Sequence, residues 1–202
     1  MHLKFSQDIE SLLQRLTHNP LTVEEIVEET EERGFSLLIS LLVIPFLFPM
    51  PPGLSSILGS GAFLIALQMA LGQNKPWLPK RISRFQFPNV LIGTLLQNIG
   101  RVTRALEKIT RPRWPNIAKS RYVWRINGLF LAWLAVLLML PIPFTNPLPA
   151  VPMLLLAAAT LEMDGLLMGV CYVLSAFVTA FFGFLGYALW RAPELLPAQF
   201  LS

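Results

Sequence analysis

Two carboxylates follow the apolar run 148–161 of this chain, in the sequence Glu162-Met163-Asp164-Gly165. Ionisable groups are costly inside a membrane segment or at its end, and those that occur there often carry protons or ions. Glu162 and Asp164 are therefore candidate proton-coupling residues. The alternative interpretation is an ordinary polar helix end, in which Asp164-Gly165 forms the turn.

Beyond these carboxylates the sequence holds few reactive groups. Its two histidines, His2 and His18, lie in the polar N-terminal stretch, and its one cysteine, Cys171, lies in an apolar segment. No HExxH pair, Cys/His cluster or glycine-rich phosphate loop is present in the sequence. We therefore expect no catalytic residue, no metal ligand, no cofactor and no enzymatic activity. Gln68 is a further candidate, because an amide in an apolar run binds either a ligand or, more often, a neighbouring helix.

The composition is that of an integral membrane protein. Of the 202 residues, 54% are hydrophobic and 14% are charged, whereas soluble domains carry about 25% charged residues. The apolar residues gather in two blocks, 35–71 and 126–190, separated by polar sequence. We expect an all-α membrane protein built from these two blocks.

Proline clusters interrupt both apolar blocks. Proline removes a backbone donor and breaks a helix, and inside lipid such a break is tolerated only where protein or a water-filled cavity shelters it. The breaks are therefore where we expect a substrate or its pathway. The candidate residues are Pro49, Pro51, Pro52, Gly53, Ser55 and Ser56 in the first break and Pro141, Pro143, Asn146 and Pro149 in the second.

The apolar runs around the breaks are short for membrane helices. Residues 35–48 would reach about 21 Å as a helix, against a hydrocarbon core of about 30 Å. Runs 126–140 and 148–161 are similarly short, and 54–71 is near the lower limit. We therefore expect two helical hairpins, short enough to be re-entrant, and one spanning helix over 166–190. Both breaks contain Pro-x-Pro, which suggests an internal repeat; the alternative is that prolines simply build tight turns.

Charge indicates how the segments are oriented. Most of the 16 Lys and Arg residues fall within 72–125, and the positive-inside rule places such a loop in the cytoplasm. The N-terminus then lies in the cytoplasm too; an inverted repeat, with one hairpin opening the other way, is the alternative. The expected segments are a cytoplasmic acidic helical N-terminus (1–33), a first hairpin (34–72), a basic loop (73–125), a second hairpin (126–165), a transmembrane helix (166–190) and a C-terminal tail (191–202).

The basic loop suggests a lipid partner rather than nucleic acid. Its apolar residues recur at helical spacing between 91 and 109, with basic residues elsewhere on the helix. That pattern is typical of an amphipathic helix lying against anionic lipid head groups. Packing of the same stripe against a second subunit is the alternative. A homodimer is also expected, because 202 residues provide few helices with which to enclose a path.

An ordered set of motifs resembles the ExoD family, named for exopolysaccharide synthesis. The resemblance covers roughly residues 20–190. It implies a bacterial inner-membrane protein linked to exopolysaccharide production. The motifs are Pro49-Met-Pro51-Pro52-Gly53, Gly59, Gln68, Gly72 and Pro76-Trp77-Leu78-Pro79, then Arg111-Pro112-Arg113, Leu140-Pro-Ile-Pro143, Asn146-Pro-Leu-Pro149 and Asp164-Gly165.

Two functional hypotheses follow. The first is a small transporter-like protein with its site at the two broken hairpins and with Glu162 and Asp164 as coupling groups. The second is a non-catalytic scaffold or accessory subunit of a polysaccharide synthesis or export complex. In the second case the acidic N-terminus or the basic loop would be the docking surface.

Overall fold

A computed structural model describes residues 34–47, 54–73, 76–77, 108–140, 142 and 145–195. The predicted N-terminal helices, the first proline cluster and most of the basic loop lie outside these residues. The described chain is helical and contains no strand, which confirms the all-α prediction. Its helices are α1 (Gly34–Val43), α2 (Leu54–Ala70), α3 (Pro115–Ala118), α4 (Arg121–Leu138), α5 (Pro147–Leu161) and α6 (Gly165–Leu195), and a 3-10 turn (Ile44–Leu47) continues α1.

Two of the described helices are long and apolar enough to cross a membrane. These are α4 and the Gly165–Ala188 part of α6. A helix in the core of a soluble protein is mostly buried, whereas only 28% of the most apolar window of α6 is buried within the protein. Large apolar side chains, including Phe177 and Phe184, cover its exposed face. An exposed apolar face of this length is typical of a membrane helix.

The other apolar helices are short, as the sequence predicts. The segments Gly34–Leu47 and Pro147–Leu161 each fall below the length of a spanning helix. The first ends at a proline: α1 stops at Val43, and Pro45 lies within the 3-10 turn. Because the residue before a proline avoids helical geometry, the α-helix cannot run through Pro45 unchanged.

Helix α1 is the most completely buried of the described helices. Every residue from Gly34 to Phe46 is buried, and the helix packs against α2 and α5. Ser40 Oγ donates a hydrogen bond to the carbonyl of Ser36 at 2.7 Å, so the hydroxyl of this serine finds its acceptor within the same helix. A helix that is apolar on all sides is a core helix, and α1 therefore has no face left for solvent or lipid.

Contacts at the helix ends show that both hairpins open in the same direction. The Phe35 and Trp124 rings, at the starts of α1 and α4, meet edge to face with centroids 5.8 Å apart. At that end Gly128 also lies against Ala70, at the end of α2. At the opposite end Gly59 lies against Met139. The inverted arrangement that the sequence left open is not the one adopted, and α6 runs parallel to α4.

Two helix boundaries differ from the apolar runs that predict them. Helix α4 begins at Arg121, ahead of the predicted 126, and α6 continues to Leu195, beyond the predicted 190. The reason is that apolarity marks where lipid or core begins, whereas backbone hydrogen bonds can extend a helix into the polar interface. Charged residues such as Arg125 and Arg191 therefore lie on the same helices as the apolar runs.

Candidate functional site

Asp164 is a buried latch between two parts of the chain. Asp164 is fully buried and directly precedes the first residue of α6. Oδ1 accepts a hydrogen bond from the backbone N–H of Leu167 at 3.1 Å, which is the bond of a helix N-cap. Oδ2 accepts from the backbone N–H of Arg111 at 2.9 Å. The N–H of Gly165 returns a bond to the carbonyl of Arg113 at 2.8 Å, so the Arg-Pro-Arg segment is fastened to the start of α6.

The hydrogen bonds of this latch involve backbone atoms of Arg111 and Arg113 and not their side chains. Arg111 and Arg113 are both exposed. Both carboxylate oxygens of Asp164 accept hydrogen bonds from backbone amides beside the N-terminus of α6. This geometry corresponds to the polar helix end that the sequence offered as its alternative interpretation. Glu162 is half-buried, and Met163 between the two carboxylates has a left-handed backbone with φ of 56°.

Thr110, next to the latch, supplies a testable prediction. Its side chain is buried, and its Oγ1 has no hydrogen-bond partner among the described residues. An unsatisfied buried hydroxyl costs about 1–3 kcal/mol. We therefore expect Thr110→Val, which replaces that hydroxyl with a methyl group of similar size, to raise the free energy of unfolding by about 1 kcal/mol. Thr110→Ser keeps the hydroxyl and is the control. Unfolding in mixed micelles measures both; a destabilised valine variant would show that the hydroxyl has a partner.

A buried polar network joins the last three helices. Asn127 on α4 is fully buried, and its Nδ2 donates to Thr160 Oγ1 on α5 at 2.9 Å. Nδ2 also lies 3.5 Å from the sulfur of Met168, and the Tyr172 hydroxyl donates to Asn127 Oδ1. Thr160 in turn donates to the carbonyl of Leu156 at 2.6 Å. The network therefore places three uncharged polar side chains inside the apolar bundle.

Sequence reasoning missed this network because its members are far apart in the chain. Asn127 and Tyr172 are 45 positions apart, and each looks like an isolated polar residue in an apolar run. A weak signal was present on α6, where Met168, Tyr172, Ser175 and Thr179 follow one another at helical spacing. Periodicity of that kind indicates one helix face. It does not indicate which helix that face meets.

The side-chain amide of Gln68 is hydrogen-bonded to the backbone of Trp77. Its Nε2 donates to the carbonyl of Trp77 at 2.6 Å, and its Oε1 accepts from the N–H of Trp77 at 2.6 Å. Both ends of the amide are therefore occupied by one backbone unit. Gly72, between the two, has φ of 81° and terminates α2 in the left-handed conformation that glycine favours.

The turn that precedes the first break and the helix that follows the second break lie in contact at one end of the bundle. The 3-10 turn that contains Pro45 packs on α5, the helix that follows the second break. Asn146 is half-buried just before α5, and Pro149 is buried in its first turn. Thr145 Oγ1 donates to the carbonyl of Ile142 at 2.9 Å. Outside the described residues lie Pro49, Pro51, Pro52, Gly53, Pro141 and Pro143 and the side chains of Ser55 and Ser56.

The structure thus divides the predicted site residues into two groups. Asp164, Glu162 and Gln68 lie at the open end of the hairpins, whereas Asn146 and Pro149 lie at the end with the breaks. The polar network around Asn127 lies between the open end and the breaks, about two turns inward from Asp164 along α6. In the described part of the chain, no three His, Cys, Asp or Glu side chains are close enough to hold a metal ion.

Comparison with known proteins gives one family and two relatives. The family model described as "Exopolysaccharide synthesis, ExoD" matches residues 5–184. Protein ExoD of Rhizobium meliloti (strain 1021) is 35% identical over 98% of this chain and 83% of the relative. An uncharacterized protein of Synechocystis sp. is 27% identical over 87% of this chain and 84% of the relative. No solved structure matches the chain.

Proposed function

Because the chain belongs to the ExoD family of exopolysaccharide synthesis, we propose that it is a bacterial inner-membrane protein serving exopolysaccharide production. Its proposed role is transporter-like: a small polar solute or ion crosses the bundle between the two proline-broken hairpins. The proposal includes no catalysis, since nothing in the sequence assembles a nucleophile with a base.

The observation that carries this proposal is the contact between the turn before the first break and the helix after the second. The Ile44–Leu47 turn of the first hairpin packs on α5 of the second, and Gly59 lies against Met139 beside it. Broken helices brought together from two similar halves of a chain are a recurring design of transporters. The common Pro-x-Pro of the two hairpins supports the interpretation that they are repeats.

Helix lengths support a position for the breaks inside the membrane. Helix α1 with its 3-10 turn has 10 and 4 residues, which gives about 23 Å. Helix α5, with 15 residues, gives about 22 Å. A hydrocarbon core is about 30 Å thick, so α1 and α5 are each too short to cross it, whereas α4 has the length of a candidate span. Helix α6, with 31 residues, reaches about 46 Å and crosses completely.

The same arrangement supports one orientation of the protein in the membrane. With the basic loop in the cytoplasm, the open end of both hairpins faces the cytoplasm and α6 sends the C-terminus outward. A membrane-impermeant maleimide can check this in a Cys171→Ser background. The Lys119→Cys variant should react only after permeabilisation. Reaction of this cysteine in intact cells would show that the protein has the opposite orientation.

A flux experiment tests the transport proposal, with the Asn127 network as its probe. Purified protein in liposomes should release a proton gradient faster than empty vesicles, followed with a pH-sensitive dye inside. We expect Asn127→Ala and Tyr172→Phe to change that rate several-fold, because both remove polar groups from the bundle interior. Trp133→Phe is the matched control, since it removes the hydrogen bond of an exposed side chain to Thr179 on the outer face. Equal rates for wild type and empty vesicles, with protons, monovalent cations and small sugars, would remove the transport proposal.

An accessory role is the second candidate, favoured by α6. Its exposed apolar side chains continue to Trp190, beyond the short hairpins. A membrane protein of polysaccharide synthesis or export, or a second copy of this chain, could pack on that face. Polysaccharide output after Phe177→Ala/Phe184→Ala distinguishes the candidates: reduced output with unchanged flux supports the accessory role, and unchanged output counts against it.

A further inference from the structure

The described part of the basic loop carries a run of exposed cations, and the nearest acid before it in the sequence is Glu107. We call the segment 108–121 the basic shelf; its cations are Lys108, Arg111, Arg113, Lys119 and Arg121, and all five side chains are exposed. The segment contains no Asp or Glu. The nearest buried carboxylate, Asp164, gives its two oxygens to backbone amides. The five charges therefore face outward without compensation from the shelf itself.

Apolar and aromatic side chains are exposed among these cations. Trp114 is 60% exposed and Ile117 is 56% exposed. Tyr122, directly after the shelf, is 79% exposed. A large exposed apolar group is unfavourable in water, but Trp and Tyr are enriched where a membrane meets water. Cations interleaved with such groups are typical of surfaces that lie against anionic lipid.

The latch holds the shelf at the level where the apolar helices begin. The carbonyl of Trp114 lies 3.2 Å from where a Cβ on Gly165 would be, at the first residue of α6. Trp190 lies 25 residues further along the same helix, or about 38 Å away. That separation fits two aromatic belts on either side of a hydrocarbon core of about 30 Å. The shelf therefore lies at the end of the bundle where α6 begins.

We propose that the basic shelf is a binding surface for anionic phospholipid head groups. Charge complementarity favours this occupant, because a phosphate head group supplies the negative charge that the shelf lacks. The aromatic side chains beside the cations favour lipid over nucleic acid, since acyl chains can cover Ile117 and Trp114 at the same surface. Asp164 is then a positioning residue: it orders the arginine backbone and leaves both guanidinium groups outside. The proposal does not depend on whether anything is transported.

Native mass spectrometry of the full-length protein in detergent tests the shelf. Phosphatidylglycerol and phosphatidylcholine are offered at equal concentration, and retained lipids are counted. Since each Lys or Arg near an anionic surface contributes about a fivefold preference, wild type should retain phosphatidylglycerol at least about tenfold better. The variant Arg111→Gln/Arg113→Gln/Lys119→Gln/Arg121→Gln should lose most of that preference. All four side chains are exposed, so the fold should persist, which circular dichroism checks.

Two controls separate the shelf from charge in general. Arg111→Lys/Arg113→Lys/Arg121→Lys keeps the charges and should keep the preference. Arg191→Gln removes one cation near the other end of α6 and should leave the preference unchanged. The proposal is overturned if the four-glutamine variant still prefers phosphatidylglycerol as wild type does. It is also overturned if Arg191→Gln lowers the preference as strongly as the shelf variant.

Discussion

Replacing Gly128 by alanine is expected to destabilise the protein by about 3 kcal/mol, at the upper end of the cost of overpacking a core. A Cβ at this position would lie 2.3 Å from the nitrogen of Ala70, 2.7 Å from its Cα and 2.8 Å from the carbonyl carbon of Met69. All three are backbone atoms, so no side-chain rotation can relieve the clash. Helices α2 and α4 must move apart. Unfolding in mixed micelles, with helicity as the readout, measures the loss.

Glycines on α6 provide the matched controls for Gly128. A Cβ on Gly169 or Gly183 would meet nothing within 4 Å. Because alanine favours a helix over glycine by about 1 kcal/mol, Gly169→Ala and Gly183→Ala should be neutral or slightly stabilising. If Gly128→Ala changes the free energy of unfolding as little as Gly169→Ala does, then α2 and α4 do not pack as closely as described.

Replacing Asp164 by alanine is the second large expected effect, a loss of about 3 kcal/mol. The change removes the N-cap of α6, which costs about 1 kcal/mol. It also leaves the partly buried N–H of Arg111 without its acceptor, and an unpaired buried donor costs about 1–3 kcal/mol. Asp164→Asn keeps one carbonyl oxygen and can satisfy one of the two amides, so its loss should be about half. The same micelle unfolding experiment measures both.

Proteolysis gives Asp164 a readout that a general loss of stability would not produce. Without the latch, trypsin should cleave after Arg113 and Lys119 several-fold faster in the folded protein, while cleavage after Arg191 stays unchanged. Arg111 is followed by Pro112 and is a poor trypsin site. Glu162→Gln alters the neighbouring carboxylate and should leave this cleavage pattern alone. Equal cleavage of wild type and Asp164→Ala would mean that the shelf is ordered by other contacts.

The sequence was sufficient for the helices and insufficient for their packing. Apolar runs and proline clusters located α1, α2 and α5, because both signals act on the local chain. The predicted run 35–48 did not show that α1 ends at Val43, before Pro45. Helix α1 is apolar on every side, so its sequence marks no preferred face. Nothing local could show that α1 is completely buried, whereas α6 exposes most of its surface.

The candidate site was predicted in part for the same reason. Glu162 and Asp164 were found because carboxylates are rare next to apolar segments. The partner of Asp164 was not found, because the N–H of Arg111 belongs to a backbone 53 positions away. Almost every residue has a backbone N–H, so the residue type at a position does not indicate which N–H will bind a distant carboxylate. The partners of Asn127 were missed because amide and hydroxyl groups become informative only when the fold brings them together.

The complete burial of α1 has a consequence for how the protein is made. Its covering helix α5 begins at Pro147, roughly a hundred residues after α1 ends at Val43. At about 5–20 residues per second, the ribosome delivers α5 some 5–20 seconds later. During that interval the first apolar helix to emerge lacks the neighbour that encloses it. Helix α1, which precedes the other described helices in the chain, is thus among the last of them to reach its final surroundings.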